Sequence, residues 1–524
     1  MERNRLRTLR FSTLILGQMA NVVSMPRSLL IYGLCIPVAI LLGYLIATPF
    51  NTLSLVFVGL SLFVLSIPIF LRWHHALAIF TWNSYLVLFF LPGQPNLGIA
   101  AAAISLFISL VDRLMHRHEG FLRVPSVARS LLFLTLVVLV TAKLTGGIGG
   151  QVFGAESWGA KRYLGVLGAI VGYFALVSRP VPEDKARLYA SIFVLSGVTA
   201  VVSDLAYAAG PRFYFLFTLF PATLAFSQAL SEGDLLRLSG VCFAAVSVYQ
   251  YLLMRYGIRG LCDWSRPWRL AAFAALFAAS AFGGYRSSIL LGLLILFVQF
   301  YLEALHKTKL LPIFLLAGAL LAALLLGFSE RLPLSFQRSL SFLPIKVDAA
   351  AKYDAQYTLD WRLEIWRIVT PEVPKYLLLG KGFAYSGTDY YLTQEAIKRG
   401  LYQSEEDALV SGNYHQGILT LIIPFGVWGL IGFGAFCCAA LRVLSLNFRY
   451  GRESLKLINT FLLSSFVAHL IYYVLFYGQF DSDIISFTGW IALSITLNAG
   501  VRRKQVGERE DHTEAVPVHS TLVA

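Results

Sequence analysis

Apolar runs close to twenty residues long recur along the whole chain, separated by short polar stretches rich in Arg, Gly and Pro. Each run is about the length an α-helix needs to cross a ~30 Å hydrocarbon layer. They are continuously apolar, whereas the strands of a membrane β-barrel would alternate. The pattern predicts an all-α, polytopic integral membrane protein with about fourteen transmembrane helices, within a range of about 12 to 14. The expected spans are 29 to 47, 53 to 71, 76 to 91, 98 to 115, 127 to 144, 163 to 178, 188 to 209, 235 to 254, 269 to 283, 287 to 304, 310 to 328, 417 to 440, 455 to 477 and 484 to 499. Segment 213 to 230 is apolar too, but it carries Pro221 at its centre and is expected to lie at the interface or to re-enter the membrane.

Composition agrees with a membrane home. Hydrophobic residues make up 57% and charged residues 14%, against about 25% charged in a soluble domain. The formal charge of +14 does not point to nucleic acid, because the basic residues punctuate the apolar runs instead of gathering on one polar domain. They read as topogenic signals. With 213 to 230 outside the set of spans, the connections bearing Arg113, Arg117, Arg123 and Arg129, then Arg255, Arg259, Arg266 and Arg269, then Lys307 and Lys309, then Arg442, Arg449, Arg452 and Lys456 all face the cytoplasm. Both termini are then cytoplasmic. This divides the chain into a cytoplasmic segment 1–28, eleven helices over 29–328, a long outer loop over 329–413, three helices over 414–500, and a disordered cytoplasmic tail over 501–524. The five cysteines lack metal-ligand spacing, and neither a disulfide framework nor a zinc site is expected.

The long loop stands apart from the other connections. Loops of this length are usually functional or disordered, and Trp361, Trp366, Tyr376, Phe383, Tyr385, Tyr390 and Tyr391 give this one material to pack. Within it, residues 358 to 370 read as a helix ended by Pro371 and Pro374. At about 100° per residue, Leu359, Leu363, Trp366 and Val369 share a face, with Arg362 between Val369 and Trp366. Arg362 either snorkels along a membrane-lying helix or binds an anion such as phosphate. Arg367 falls on the flank, toward solvent or headgroups. Gly380, Gly382 and Gly387 permit tight turns near a ligand or make the loop flexible, and neither a P-loop nor a dinucleotide fingerprint is present.

Downstream, Asn413 or Ser411 is placed to cap a glycine-rich helix, which would put His415 in its first turn. There the helix dipole disfavours imidazolium, the state of a neutral general base; the other reading is a histidine hydrogen-bonded at the interface. Gly426, Gly429, Gly432 and Gly434 suit close helix packing. Arg286, between two apolar runs at the expected outer face, costs about 2.5 to 3.5 kcal/mol to insert and therefore calls for a partner or an anionic ligand. Asp204 and His469 are further intramembrane polar residues; they could be relay groups in a transporter, but each is solitary in its helix, and Asp204 is expected to be paired near the outer surface and His469 satisfied between helices.

In this order, Arg286/Ser287, Arg362 and Trp366 in WRLEIWR, Gly380 and Gly382 in LGKGF, and His415 ahead of a glycine-rich span resemble the O-antigen ligase/polymerase superfamily of bacterial membrane glycosyltransferases, over roughly residues 280 to 440. The resemblance implies a helical architecture of the lipid-donor (GT-C-like) type, in a bacterial inner membrane with the long loop periplasmic. It implies a polyprenyl-diphosphate-linked glycan donor and a hydroxyl acceptor on lipid A core or a growing glycan. In that setting Arg286 and Arg362, with Lys381 and Arg367 as weaker candidates, would bind the diphosphate, and His415 would act as base. Neither a metal nor another cofactor is expected, since no Asp or Glu cluster has metal-ligand spacing. Ligase and polymerase share donor and chemistry and are not separated. A transporter of lipid-linked glycans is the alternative, against which stand the lack of an evident internal repeat and the single ordered outer loop.

Overall fold

The computed structural model describes residues 32–33, 35–41, 43, 52–89, 91, 94–115, 121–146, 157–226, 237–402 and 405–502. The expected segment 1–28, nearly all of the tail 501–524 and part of the expected span 29 to 47 lie outside these residues. The chain divides into two compact units, residues 1–72 and 73–524. The described helices are α1 (Thr52–Trp82), α2 (Leu97–Met115), α3 (Pro125–Thr145), α4 (Ala160–Leu176), α5 (Ala186–Leu195), α6 (Val201–Ala209), α7 (Ser239–Leu261), α8 (Trp268–Ala279), α9 (Arg286–Leu302), α10 (Leu310–Phe328), α11 (Leu334–Leu340), α12 (Ala349–Val369), α13 (Gly387–Lys398), α14 (Glu405–Ser411), α15 (Leu419–Tyr450), α16 (Lys456–Leu475) and α17 (Phe480–Leu497), with shorter turns between them.

Among the described residues, eight helical stretches are long and apolar enough to cross a membrane, and Trp268–Gly283 and Arg286–Leu302 are shorter apolar helices. The molecule is an all-α polytopic membrane protein. Helix α10 shows the solvent it was selected for: none of its residues is buried, and its surface is almost wholly Leu, Ala, Ile and Phe.

Two expected spans are corrected. Segments 53 to 71 and 76 to 91 are not separate helices, because α1 runs unbroken to Trp82 and the chain beyond it is irregular. The polar His74 and His75 read as a loop in sequence, yet His74 Nδ1 bonds Ser105 Oγ at 2.9 Å and His75 Nε2 bonds the Leu176 carbonyl at 2.9 Å. Satisfied inside the bundle, they need no loop. The described part of 213 to 230 is a 3-10 turn, Pro211–Thr218, and a short helix, Ala222–Phe226, separated at Pro221.

The bundle packs α17 on α4, α15 on α3, α2 on α4, and α16 on α9. Its centre is aromatic: Phe433 and Phe436 of α15, Phe466 and Tyr473 of α16, and Phe480 and Phe487 of α17 meet mostly edge to face at centroid separations of 5.2 to 6.5 Å. Ring quadrupoles favour such tilted pairs, and the three C-terminal helices form a stiff wall. Residues 329–413 fold as α11 to α14 against the N-terminal end of α15, with Ile365, Val369, Ala408, Tyr414 and Ile423 forming their own small core. A two-residue antiparallel pairing, Ser157 with Ser386 and Trp158 with Tyr385, ties the loop to the approach to α4.

Candidate functional site

The site forms where α9, α12 and the turn before α15 meet. Gly284, in left-handed conformation (φ +66), ends the 3-10 turn after α8 and redirects the chain so that Arg286 is the first residue of α9. The Arg286 guanidinium donates from NH2 to the Ala355 carbonyl of α12 at 2.9 Å. It lies in the electrostatic field of Arg362, about two turns beyond Ala355 along α12.

Arg362 is set differently from the face read off the sequence. Leu359 and Leu363 are exposed, while Ala351, Ala355, Ile365 and Val369 are buried. The buried stripe is rotated by about 60° from the expected one, which puts Arg362 near its middle. The helix docks through its small and β-branched residues on the protein and turns its two leucines outward, a choice that hydrophobicity alone cannot distinguish. Arg362 Cζ stands 5.2 Å from the centroid of the Tyr477 ring, a cation–π distance, and its Nε is buried with no hydrogen-bond partner.

His415 completes the group, and its setting is a second correction. It is not in the first turn of a helix: Ser411 closes α14, α15 begins at Leu419, and neither Ser411 nor Asn413 caps α15. His415 lies in the intervening turn with φ +54, a left-handed conformation uncommon outside glycine. Its ring is held between Trp361, at 5.1 Å, and Tyr477, at 5.5 Å, and Nδ1 is buried without a hydrogen-bond partner. Burial, and secondarily the charge of Arg362, push its pKa down to about 4. The imidazole is neutral, as expected, but desolvation rather than a helix dipole keeps it so.

The other sequence candidates sit elsewhere. The Arg367 side chain is 83% exposed and approaches Glu364 at 3.9 Å. Lys381 belongs to a segment laid against α15: its N–H donates to the Ile423 carbonyl at 2.7 Å, and the Gly382 N–H donates to Pro424 at 2.9 Å. A Cβ at Gly380 would fall 2.2 Å from the Pro424 carbonyl oxygen. Gly380 therefore serves backbone-to-backbone packing at the kink of α15, and Gly382 makes room for the Thr145 and Tyr163 side chains, readings the sequence did not separate from ligand binding or flexibility. Gly387 begins α13, which Ser386 caps through the Asp389 N–H.

Sequence reasoning missed several residues of this region. Arg162 of α4 donates to the Ser411 carbonyl at 2.8 Å, pairs with Asp481 at 3.0 Å and stacks 4.1 Å over Phe383. It thereby holds the turn leading to His415. Gln479 adds a 3.0 Å bond to Asn413. Arg162 looked like an ordinary charge at a span end, and Tyr477 like the end of an apolar run; neither carried a local signal. His469 bonds Asp483 at 3.0 Å, and Asp204 accepts the Val241 N–H at 2.7 Å. Among the described residues, no group of three His, Cys, Asp or Glu is placed to hold a metal ion.

Residues 270–434 match the family model for O-antigen ligase, and this stretch contains Arg286, Arg362, Arg367, Lys381 and His415. Over these residues the chain is similar to the O-antigen ligase family. No curated protein matches the chain. The O-antigen ligase-like stretch runs from α8 to the middle of α15, about a third of the chain, so Arg162 and Tyr477 meet it from outside. It supports a ligase-like or polymerase-like glycosyltransferase in a multi-pass membrane protein. In general terms that family implies a lipid-linked glycan and a lipid A core or glycan acceptor as partners.

Proposed function

We propose that the protein transfers a glycan from a polyprenyl diphosphate donor to a hydroxyl of lipid A core or of a growing glycan, at the outer face of a bacterial inner membrane. The observation that carries this reading is the convergence of Arg286, Arg362 and the neutral, half-buried His415 from three separate segments of the O-antigen ligase-like stretch. A diphosphate is already a good leaving group, so the protein must chiefly hold its charge and take the acceptor's proton. Arg286 and Arg362 bind the diphosphate oxygens. The acceptor oxygen attacks the anomeric carbon from the opposite side, the bond to the phosphate oxygen breaks, and the hydroxyl proton passes to His415. Displacement in one step inverts the anomeric centre and releases polyprenyl diphosphate. Arginines meet the charge that a metal would otherwise neutralise, and the reaction is read as metal-independent. Arg367 and Lys381, which no contact among the described residues joins to this group, are secondary. The distribution of Arg and Lys between the spans from residue 98 onward supports the C-terminus in the cytoplasm and the loop of residues 329–413 in the periplasm; with α1 a single helix, the expectation of both termini on one side no longer follows from it.

The test uses purified full-length protein, a lipid-linked oligosaccharide and candidate acceptors. His415→Ala is expected to abolish single-turnover transfer while donor binding survives, because a base acts in the transition state. Arg286→Ala and Arg362→Ala are expected to weaken donor binding as well. Near-normal turnover by folded His415→Ala would remove the base from the mechanism; unchanged donor binding in both arginine variants would move the diphosphate site elsewhere.

A further inference from the structure

Two more arginines stand beside Arg286, and they share one carboxylate. Arg338 of α11, its side chain only 8% exposed, pairs through Nε with Asp354 Oδ2 of α12 and donates from NH1 to the Gly284 carbonyl, two residues before Arg286. Arg237, just ahead of α7, brings NH2 to 3.5 Å from the same Asp354 Oδ2, and its Nε is buried with no hydrogen-bond partner. Arg286 in turn bonds Ala355, the neighbour of Asp354, and feels Arg338, Arg362 and Asp354 together. Three guanidinium groups, those of Arg237, Arg286 and Arg338, thus gather around a single carboxylate, and Arg362 joins the group through the field it shares with Arg286. Partly buried like charges repel and are costly to desolvate unless an anion completes them.

We propose that Arg237 and Arg338 form the second half of a four-arginine anion seat, in which Asp354 is a resident carboxylate whose place on Arg237 a diphosphate oxygen takes when the donor binds. This rests on the reading of the site as a diphosphate site. Asp354 Oδ2 offers two guanidiniums the same acceptor geometry that a phosphate oxygen would. Arg338, more deeply buried and anchored to Gly284, stays with Asp354. Arg237 is the more exposed partner at the longer distance, and it is the one that transfers. No covalent step is involved. The Arg286–Ala355 and Arg338–Gly284 bonds link the ends of the seat to the backbone that sets Arg286, so filling one half stiffens the other.

Binding of polyprenyl diphosphate and of inorganic pyrophosphate to the full-length protein in detergent tests this, with salt varied. Arg237→Gln is expected to weaken both by roughly tenfold, the scale of one charge-assisted bond, with a shallower salt dependence, and Arg237→Lys to recover most of the loss. Asp354→Asn, by removing the competing carboxylate, is expected to tighten binding several-fold. If Asp354→Asn does not fold, Arg237→Gln and Arg237→Lys decide alone. Unchanged binding in Arg237→Gln, or weakened binding in a folded Asp354→Asn, overturns the seat. If Arg286→Ala and Arg362→Ala still weaken binding in that event, the diphosphate reading survives without it; if they do not, both fall.

Discussion

The indole Nε1 of Trp366 donates to the carbonyl oxygen of Tyr414 at 2.8 Å. The bond pins the helix carrying Arg362 to the turn carrying His415, one residue from the imidazole. A neutral hydrogen bond contributes about 0.5–1.5 kcal/mol net. Trp366→Phe keeps an aromatic ring and loses the donor, so turnover is expected to fall about three- to tenfold, on that scale, with little change in donor affinity. Steady-state kcat and direct donor binding check it. An unaltered kcat would mean that the turn holds its shape without the tether.

His415 gives the site a pH signature. Its pKa of about 4 in the folded protein lies below the ~6.5 of an exposed imidazole. Between these values the unfolded chain binds more protons, so stability falls as pH drops from about 6.5 toward 4 and is indifferent to this group above that window. In activity, kcat/KM for the donor reports the free enzyme, and its acid limb is expected well below pH 6. The donor's negative charge offsets Arg362, so the limb in kcat should sit at higher pH than the limb in kcat/KM. Coincident limbs near 6.5 would show a solvated histidine beyond the reach of Arg362.

Much of this site was legible because its residues are chemically out of place. An arginine such as Arg286 between apolar runs, or a histidine such as His415 ahead of a glycine-rich span, stands out locally and needs no tertiary knowledge. What sequence could not show is which side of a helix docks. Leu359 and Leu363 looked like the buried face of α12, and they face outward because Ala355, Ile365 and Val369 fit the neighbouring surface better. Nor could it show alliances across long separations. Arg162 reaches Ser411 and Asp481, and Arg237 and Arg338 share Asp354, yet in sequence each arginine stands alone with no partner nearby to mark it. His74 and His75 misled for the converse reason, since their partners lie far along the chain.

The orientation of the loop is open to direct labelling. Arg399, at the end of α13, has an exposed side chain, as does Glu453, between α15 and α16. In a background with Cys35 and Cys438 changed to Ser, Arg399→Cys is expected to react with a membrane-impermeant thiol reagent in intact spheroplasts. Glu453→Cys should react only after lysis. The reverse pattern would turn the molecule over and place His415 in the cytoplasm.

Glycines near the site separate packing from ligand contact. Gly382 has φ +72, and a Cβ there would fall 2.1 Å from Thr145 Oγ1 and 2.6 Å from the Tyr163 hydroxyl. Neither neighbour is free to retreat: Thr145 donates to the Thr141 carbonyl at 2.8 Å, and the Tyr163 oxygen accepts the Phe383 N–H at 2.8 Å. Left-handed backbone alone costs a non-glycine residue roughly 1–2 kcal/mol, and the clash adds to it. Gly382→Ala is therefore expected to lower the Tm, with activity falling in step with the folded fraction. Gly434, in α15, has nothing within 4 Å of its would-be Cβ, and Gly434→Ala should leave Tm and transfer unchanged. Thermal unfolding in detergent, paired with donor binding, tells the cases apart. A Gly382→Ala protein that keeps its Tm but loses donor affinity would place the glycine against the ligand, and the LGKGF segment would return to the binding site.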